Sequence, residues 1–75
     1  MYTTERCGDC RAAKRFLLER GIEFEEINIE QDGAAMEYVV RVNGGKRAVP
    51  TFDADGRVFS CSPFNAQQLE KMLSL

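Results

Sequence analysis

The motif Cys7-Gly8-Asp9-Cys10, just ahead of a helical pattern, is the feature that most constrains this chain. Two thiols separated by two residues can close a small disulfide or help to hold a metal ion. A helix that starts beside them presents unpaired backbone N–H groups and the positive end of its macrodipole. Both stabilise a thiolate at Cys7, whereas Cys10, about one turn further on, should be more buried and less ionised. The motif therefore predicts one attacking sulfur and one resolving sulfur.

The composition limits the classes of protein that need consideration. A chain of 75 residues is expected to form a single domain spanning residues 1–75. Its net charge of −2, from 10 basic and 12 acidic residues, argues against nucleic-acid binding. Because it shows neither a long apolar run nor a charged-then-apolar leader, we expect a cytoplasmic protein with no membrane partner.

The cysteine count separates a redox site from a structural metal site. Zinc normally takes four Cys or His ligands, and this chain offers three cysteines and no histidine. An odd number of cysteines also fits a reducing compartment better than a disulfide framework. The motif is therefore more typical of a redox pair than of a zinc half-site, and we expect no metal site.

Apolar periodicity in the first half predicts a strand, a helix and a second strand. Met1–Thr4 has β-leaning residues but is barely of strand length. Apolar positions from Cys10 to Arg20 line one face of a helix, and Gly21 is suited to end it. The alternation over Ile22–Ile29 then predicts a strand.

The second half predicts a helix followed by a hairpin. Asp32 is placed to cap a helix over Gly33–Val42. A short strand around Thr51-Phe52, the turn signal Ala54-Asp55-Gly56 and a return strand beginning at Val58-Phe59 follow.

Two capping signals compete for the start of the last helix. We predict that Ser62 is the N-cap with Pro63 at the first helical position, and Asn65 with Gln68 is a competing pair. Either choice gives the order βαβ and then αββα. That order predicts an α/β fold with a four-stranded mixed sheet and helices on both faces.

With these elements in place, the chain resembles the glutaredoxin branch of the thioredoxin fold over nearly its whole length. The resemblance is carried by Tyr2-Thr3 before the Cys-x-x-Cys motif, the Phe24–Ile29 strand, Val49-Pro50 and the Asp55-Gly56 hairpin. The run Val42–Thr51 is most similar to mycoredoxin-type and small bacterial glutaredoxin-like proteins.

The resemblance also implies a substrate groove. Pro50 should be cis and face the thiols, and the backbone of Val49 should pair with the cysteine portion of a thiol substrate. Arg47 is placed to grip a substrate carboxylate, with a solvated loop residue as the alternative. The family holds a γ-glutamyl carboxylate at a Gly-Gly pair and the next helix N-terminus, where this chain has Ser60, Cys61 and Ser62.

The sequence leaves two possible roles open for each of two residues of the expected site. Cys61 is either a small packing residue that ends a strand or a groove thiol that can be glutathionylated or oxidised. Asp9 stands where the family usually has an aromatic residue. It is either an ordinary first-turn acid or a charge that disfavours the neighbouring thiolate.

The implied function is that of a thiol–disulfide oxidoreductase acting on protein disulfides or on mixed disulfides with a small thiol. Cys7 would be the nucleophile and Cys10 the resolving thiol, with glutathione or another small thiol as co-substrate. No tightly bound cofactor is expected, and the protein should be a monomer. Two alternatives stay open. One is a redoxin that thioredoxin reductase reduces and that serves ribonucleotide reductase or a peroxidase. The other is a dimer that binds or delivers a [2Fe–2S] cluster through Cys7 and an external thiol.

Overall fold

The structure, a computed structural model, describes residues 1–74. Its elements in chain order are β1 (Tyr2–Thr3), α1 (Gly8–Glu19), β2 (Ile27–Asn28), α2 (Gly33–Val42), β3 (Thr51–Ala54), β4 (Arg57–Ser60) and α3 (Ala66–Met72). This order confirms the predicted βαβ unit followed by αββα. No helix in the described residues is long and apolar enough to cross a membrane.

The sheet has four strands in the order β2-β1-β3-β4. β1 pairs in parallel with β2 and antiparallel with β3, and β3 and β4 form an antiparallel hairpin. The parallel pair needs a crossover, which α1 supplies. The predicted mixed sheet of the thioredoxin-like fold is therefore confirmed.

The helix α1 begins earlier than its apolar pattern. Cys7 is its N-cap, and the helix runs from Gly8, two positions before Cys10. It ends at Glu19, and the next turn is closed by Gly21 at φ 68°. That left-handed conformation is one that glycine adopts without a Cβ penalty, so Gly21 ends the helix as predicted.

The second strand is shorter than its pattern predicted. Ladder pairing is confined to Ile27–Asn28 rather than extending over Ile22–Ile29. The cause is the partner strand, because β1 itself contains only 2 residues. The backbone bonds of this pair run from Ile27 N to Met1 O at 2.9 Å and from Ile29 N to Thr3 O at 3.0 Å.

The capping of α3 decides between the two rival signals. Asn65 is the N-cap, and its side-chain oxygen accepts from the backbone N–H of Gln68 at 3.1 Å. The prediction that Ser62 caps the helix with Pro63 at its first position was wrong. The Ser62 hydroxyl lies instead 3.4 Å from an oxygen of Asp9.

Two buried clusters hold helices to the two faces of the sheet. One joins α1 and α3 to one face of the sheet and contains Met1, Ala13, Leu17, Phe52, Cys61 and Leu69. The other joins α2 to the opposite face through Ile29, Ala35 and Val39. The expectation of helices on both faces is confirmed.

Candidate active site

The sulfur of Cys7 lies at the start of α1. The residue has an extended backbone, with φ −87° and ψ 112°, which is the usual conformation of an N-cap. Its Sγ accepts a hydrogen bond from the backbone N–H of Cys10 at 3.1 Å. Cys7 is half-buried, so this sulfur combines a donor that stabilises negative charge with access to solvent.

Cys10 occupies a different environment, although it is only one turn away. Its side chain is 2% exposed, beneath the first turns of α1. Burial, followed by the hydrogen bond with Cys7, raises the pKa of the Cys10 thiol to about 11. The expectation that Cys10 is the more buried thiol is confirmed, and the raised pKa of Cys10 is in line with the resolving role predicted for it.

The loop before β3 brings Val49-Pro50 to the thiols. The Val49–Pro50 peptide bond is cis, as the resemblance implied. The carbonyl oxygen of Val49 lies 3.8 Å from Cys7 Sγ, and Pro50 is buried. Cys7 and Val49, 42 positions apart in the sequence, therefore lie side by side and define what we call the thiol groove.

Buried hydrogen bonds fix this loop. Pro50 O accepts from Cys61 N at 3.0 Å, which ties the end of β4 to the loop. Thr51 is fully buried, and its hydroxyl donates to Ala48 O at 2.6 Å and accepts from Asn43 Nδ2 at 3.1 Å. No buried side-chain polar atom of the described residues lacks a hydrogen-bond partner, so these bonds leave no unsatisfied side-chain group in the loop.

The predicted groove residues after β4 differ in their exposure. Ser60 is half-buried and Ser62 is exposed. Cys61 is 1% exposed and packs in the core cluster, so its sulfur does not face the groove. Cys61 is thus a packing residue, and only its backbone lies beside Pro50.

Arg47 stands two residues before Val49 in the chain, and its side chain has a partner. Its guanidinium lies 3.3 Å from a carboxylate oxygen of Glu30, and the two side chains are 49% and 47% exposed. The other Glu30 oxygen accepts from Glu5 N at 3.4 Å. The sequence did not predict that Glu30 would pair with Arg47, because this ion pair joins the loop after β2 to the loop before β3.

Asp9 makes contacts that the motif alone did not reveal. One carboxylate oxygen accepts from the backbone N–H of Phe64 at 3.0 Å. The other lies 3.4 Å from the Ser62 hydroxyl, which donates to it. Asp9 therefore bridges the first turn of α1 to the segment before α3, and is more than an ordinary first-turn acid.

A cavity of about 430 Å³ borders the buried Cys10 thiol. Cys10 forms part of its wall, together with Thr3, Thr4, Arg11 and Lys14. Lys14 pairs with Glu26 at 3.1 Å at its rim. Sequence patterns did not predict this space, which lies between α1 and the edge of the sheet at β2.

Together these elements can perform thiol–disulfide exchange. The reaction needs an accessible sulfur that forms a thiolate, a second thiol within reach, and a backbone edge for the substrate. Cys7 is the accessible sulfur and has the Cys10 N–H beside it, Cys10 is the second thiol, and the backbone carbonyl of Val49 lies next to Cys7. Among the described residues, no group of three or more His, Cys, Asp and Glu side chains is arranged to hold a metal ion.

Comparison with known proteins agrees with this geometry. The family model for glutaredoxin matches residues 1–59. A Mycobacterium tuberculosis relative that carries a glutaredoxin name is 47% identical over 57 residues, which are 75% of this chain and 68% of that protein.

Two further relatives cover almost the whole chain. The glutaredoxin-like protein NrdH of Lactococcus lactis is 33% identical over 72 residues, 96% of this chain and 94% of that protein. Mycoredoxin 1 of Corynebacterium glutamicum is 33% identical over 75 residues, 100% of this chain and 92% of that protein. The fold, the thiol groove and these relatives lead to one conclusion: the chain belongs to the glutaredoxin family.

Proposed function

We propose that this protein is a dithiol glutaredoxin-like oxidoreductase that reduces mixed disulfides between a small thiol and a protein. The observation that carries the proposal is the position of Cys7 Sγ, half-buried at the N-cap of α1 and 3.8 Å from Val49 O. In this role the protein acts as a cytoplasmic monomer, with glutathione or another small thiol as co-substrate. Protein disulfides are the second substrate class.

The reaction is two successive exchanges at sulfur. The Cys7 thiolate attacks one sulfur of the substrate disulfide, and the other sulfur leaves as a thiolate that takes up a proton. A second thiolate then attacks the mixed disulfide on Cys7. If that thiolate is a small thiol, Cys7 is regenerated and a small-molecule disulfide leaves. If it is Cys10, the Cys7–Cys10 disulfide forms and needs two further electrons from a donor thiol or a reductase.

The remaining groove residues have binding roles in this proposal. The Val49 backbone aligns the substrate cysteine, and cis Pro50 fixes the direction of that backbone. Arg47 binds a substrate carboxylate, which takes the place of the Glu30 carboxylate. This replacement costs little, because an exposed ion pair of this kind stabilises the protein by only about 0–1 kcal/mol. Ser60 and Ser62 offer hydroxyl groups along the groove, and Cys61 contributes its backbone.

Single-cysteine variants test the proposal. Cys7→Ser should abolish reduction of every disulfide, because the N-cap sulfur is the attacking atom. Cys10→Ser should keep activity on a small-thiol mixed disulfide and lose it on an intramolecular protein disulfide, which needs a second thiol for release. Cys61→Ser is the matched control, since that sulfur is buried in the core. Full activity of Cys7→Ser would refute the proposal.

The second candidate function is that of a redoxin that thioredoxin reductase reduces. It is favoured by the groove after β4, where Ser60-Cys61 replaces the expected Gly-Gly pair and the Cys61 side chain fills core space. Reduction supported by glutathione alone favours the first candidate. Reduction that requires thioredoxin reductase and its nicotinamide donor favours the second.

A further inference from the structure

A cavity of about 460 Å³ lies at the end of the molecule away from the thiols. It is bounded by the start of β1, the end of β3 and the segment that leads into β2, whereas Cys7 follows β1 and Pro50 precedes β3. Leu17, in its wall, comes seven positions after Cys10, which is about 10 Å along α1 at 1.5 Å per residue. An occupant of this cavity would therefore leave the thiol groove open.

The cavity combines apolar walls with an acidic rim. Its apolar side chains are buried or half-buried and belong to one core cluster or pack against it: Leu17, Ile22, Phe24, Phe52 and Leu73. Its four acidic side chains are all exposed: Glu23, Glu25, Asp53 and Asp55. Four of the 12 acidic residues of the chain thus line this cavity, and none of the 10 basic ones does. The salt bridges of the described residues engage none of these four carboxylates.

One cation, the Met1 ammonium, is present in this setting. It donates to the backbone oxygen of Glu25 at 2.6 Å. Burial lowers the pKa of this ammonium, while the charges of Glu25, Glu26 and Asp53 act in the opposite sense and favour its protonated form. Four carboxylates against one ammonium leave an excess of three negative charges on the cavity lining. This end of the molecule therefore attracts further positive groups.

A second cavity, of about 660 Å³, continues the same surface. The two cavities share Ile22, Glu23 and Phe24 as a common wall. The second one also includes Leu18, whose side chain is 62% exposed. Contiguous exposed apolar surface with a polar rim is typical of interaction sites. The two cavities, which we call the acidic docking surface, can accommodate several side chains of one segment.

We propose that the acidic docking surface binds a segment of a partner protein in which Lys or Arg residues flank bulky apolar side chains. An apolar side chain of that segment enters the first cavity beside Leu17 and Phe52, and its positive neighbours face the four carboxylates of the rim. Burial of apolar area supplies affinity, and the complementary charges supply specificity and faster association. A symmetric contact between two copies of this chain is disfavoured, because each copy would present the same negative excess to the other. The site is separate from the thiol groove and does not depend on the proposed reaction.

Binding of a defined peptide to the full chain tests the proposal. The probe is Gly-Lys-Phe-Lys-Leu-Lys-Gly, acetylated and amidated at its ends. One control peptide has Glu in place of Lys, and the other has Ser in place of Phe and Leu. Backbone amide NMR shifts of the isotope-labelled protein give both the Kd and the location of binding. No peptide contains sulfur, so the measurement is independent of exchange at Cys7.

Two double variants test the contribution of the charges. Glu23→Gln with Glu25→Gln removes two of the four rim charges, and it leaves the backbone oxygen of Glu25 in place. Glu5→Gln with Glu37→Gln is the matched control, because both side chains are exposed and lie outside the two cavities.

A second pair of variants tests the apolar contribution. Leu18→Ser removes an exposed apolar side chain from the acidic docking surface. Val42→Ser is the matched control, because Val42 is 38% exposed at the end of α2 and lies outside the two cavities.

The expected results are ratios of Kd. The basic apolar peptide should bind about tenfold or more tightly than either control peptide at low salt. The Glu23 and Glu25 double variant and Leu18→Ser should each weaken binding by about threefold or more, and added salt should weaken it further. Both control variants should stay within about twofold of the unmodified chain. The shifted amides should lie in residues 22–25 and 53–55 rather than beside Cys7 and Val49.

Four results would overturn the inference. These are equal binding of the acidic peptide, unchanged affinity in the Glu23 and Glu25 double variant, shifts centred on Cys7 and Val49, and equally tight binding of the polyamine spermidine. The last result would assign the surface to small amines instead. If thermal unfolding shows that Leu18→Ser does not fold, the charge variants alone decide. Loss of disulfide reduction by the chain while the peptide still binds would refute only the proposed function.

Discussion

Release of a bound small thiol by Cys10 should depend steeply on pH. The resolving sulfur is 2% exposed, and burial is the largest cause that raises the pKa of Cys10 to about 11. At pH 7 a thiol with that pKa is ionised in about 1 molecule in 10,000, against a few per cent for an ordinary thiol of pKa about 8.5. The thiolate fraction should therefore limit release.

The state that undergoes release differs from the reduced protein in one respect. Once Cys7 carries a small thiol, its sulfur is no longer available as a thiolate neighbour, so its contributions to the raised pKa of Cys10 are lost. Burial, the largest cause, does not depend on the Cys7 sulfur, and we expect it to persist when Cys7 carries a small thiol. We therefore expect the pKa of Cys10 to remain above the ordinary thiol value, and the release rate to rise about tenfold per pH unit from pH 6 to pH 8.5.

The assay uses a chromophoric aromatic thiol attached to Cys7. Its own low pKa makes it a good leaving group, so the colour that appears reports attack by Cys10. Cys10→Ser should show no release without added thiol, and Cys61→Ser should match the unmodified chain. A rate that levels off below pH 7.5 would refute the reasoning, because it would mean that the buried thiol ionises easily.

Three further predictions concern stability, each measured by urea or thermal unfolding. Leu69→Ala should cost about 2–5 kcal/mol, because Leu69 is fully buried. Leu18→Ala, at a side chain 62% exposed, should stay within about 0.5 kcal/mol, and equal losses at the two sites would contradict the core assignment. Asn65→Ala should cost about 0.5–2 kcal/mol through the lost cap of α3, and no change would mean that another residue starts that helix. Thr51→Val should cost about 1–3 kcal/mol, because Ala48 O loses its donor and one of the two N–H groups of Asn43 Nδ2 loses its acceptor beside Pro50; a neutral effect would show that both groups find other partners.

The local chemistry of single elements was predictable from the sequence. The helix α2 has the predicted bounds, because Asp32 accepts from Ala35 N at 3.1 Å and Asn43 with the following glycines ends the helical pattern. The hairpin turn was predictable for the same reason, since Asp55 and Gly56 both adopt the positive φ that such a turn requires. Signals of this kind act within a few residues.

Features that depend on tertiary partners were not predictable. The length of β2 is set by β1, and the apolar alternation that begins at Ile22 contains no information about that partner. The choice of Asn65 over Ser62 as a cap follows the contact between Ser62 and Asp9, two residues 53 positions apart. The same long-range contact gives Asp9 its place at the groove, so the candidate site could be located from the motif but its charge arrangement could not.

The different exposure of the three sulfurs also determines which cysteine reacts first with oxidants and with thiol-specific labels. Cys10 and Cys61 are 2% and 1% exposed, whereas Cys7 is half-buried and open to solvent. A maleimide dye added to the native reduced chain should therefore attach at one position, without any engineered change. Peroxide should likewise meet Cys7 first and convert it to a sulfenic acid, which a neighbouring thiol can condense into a disulfide before irreversible oxidation. Cys10 is then a protective partner as well as a resolving one.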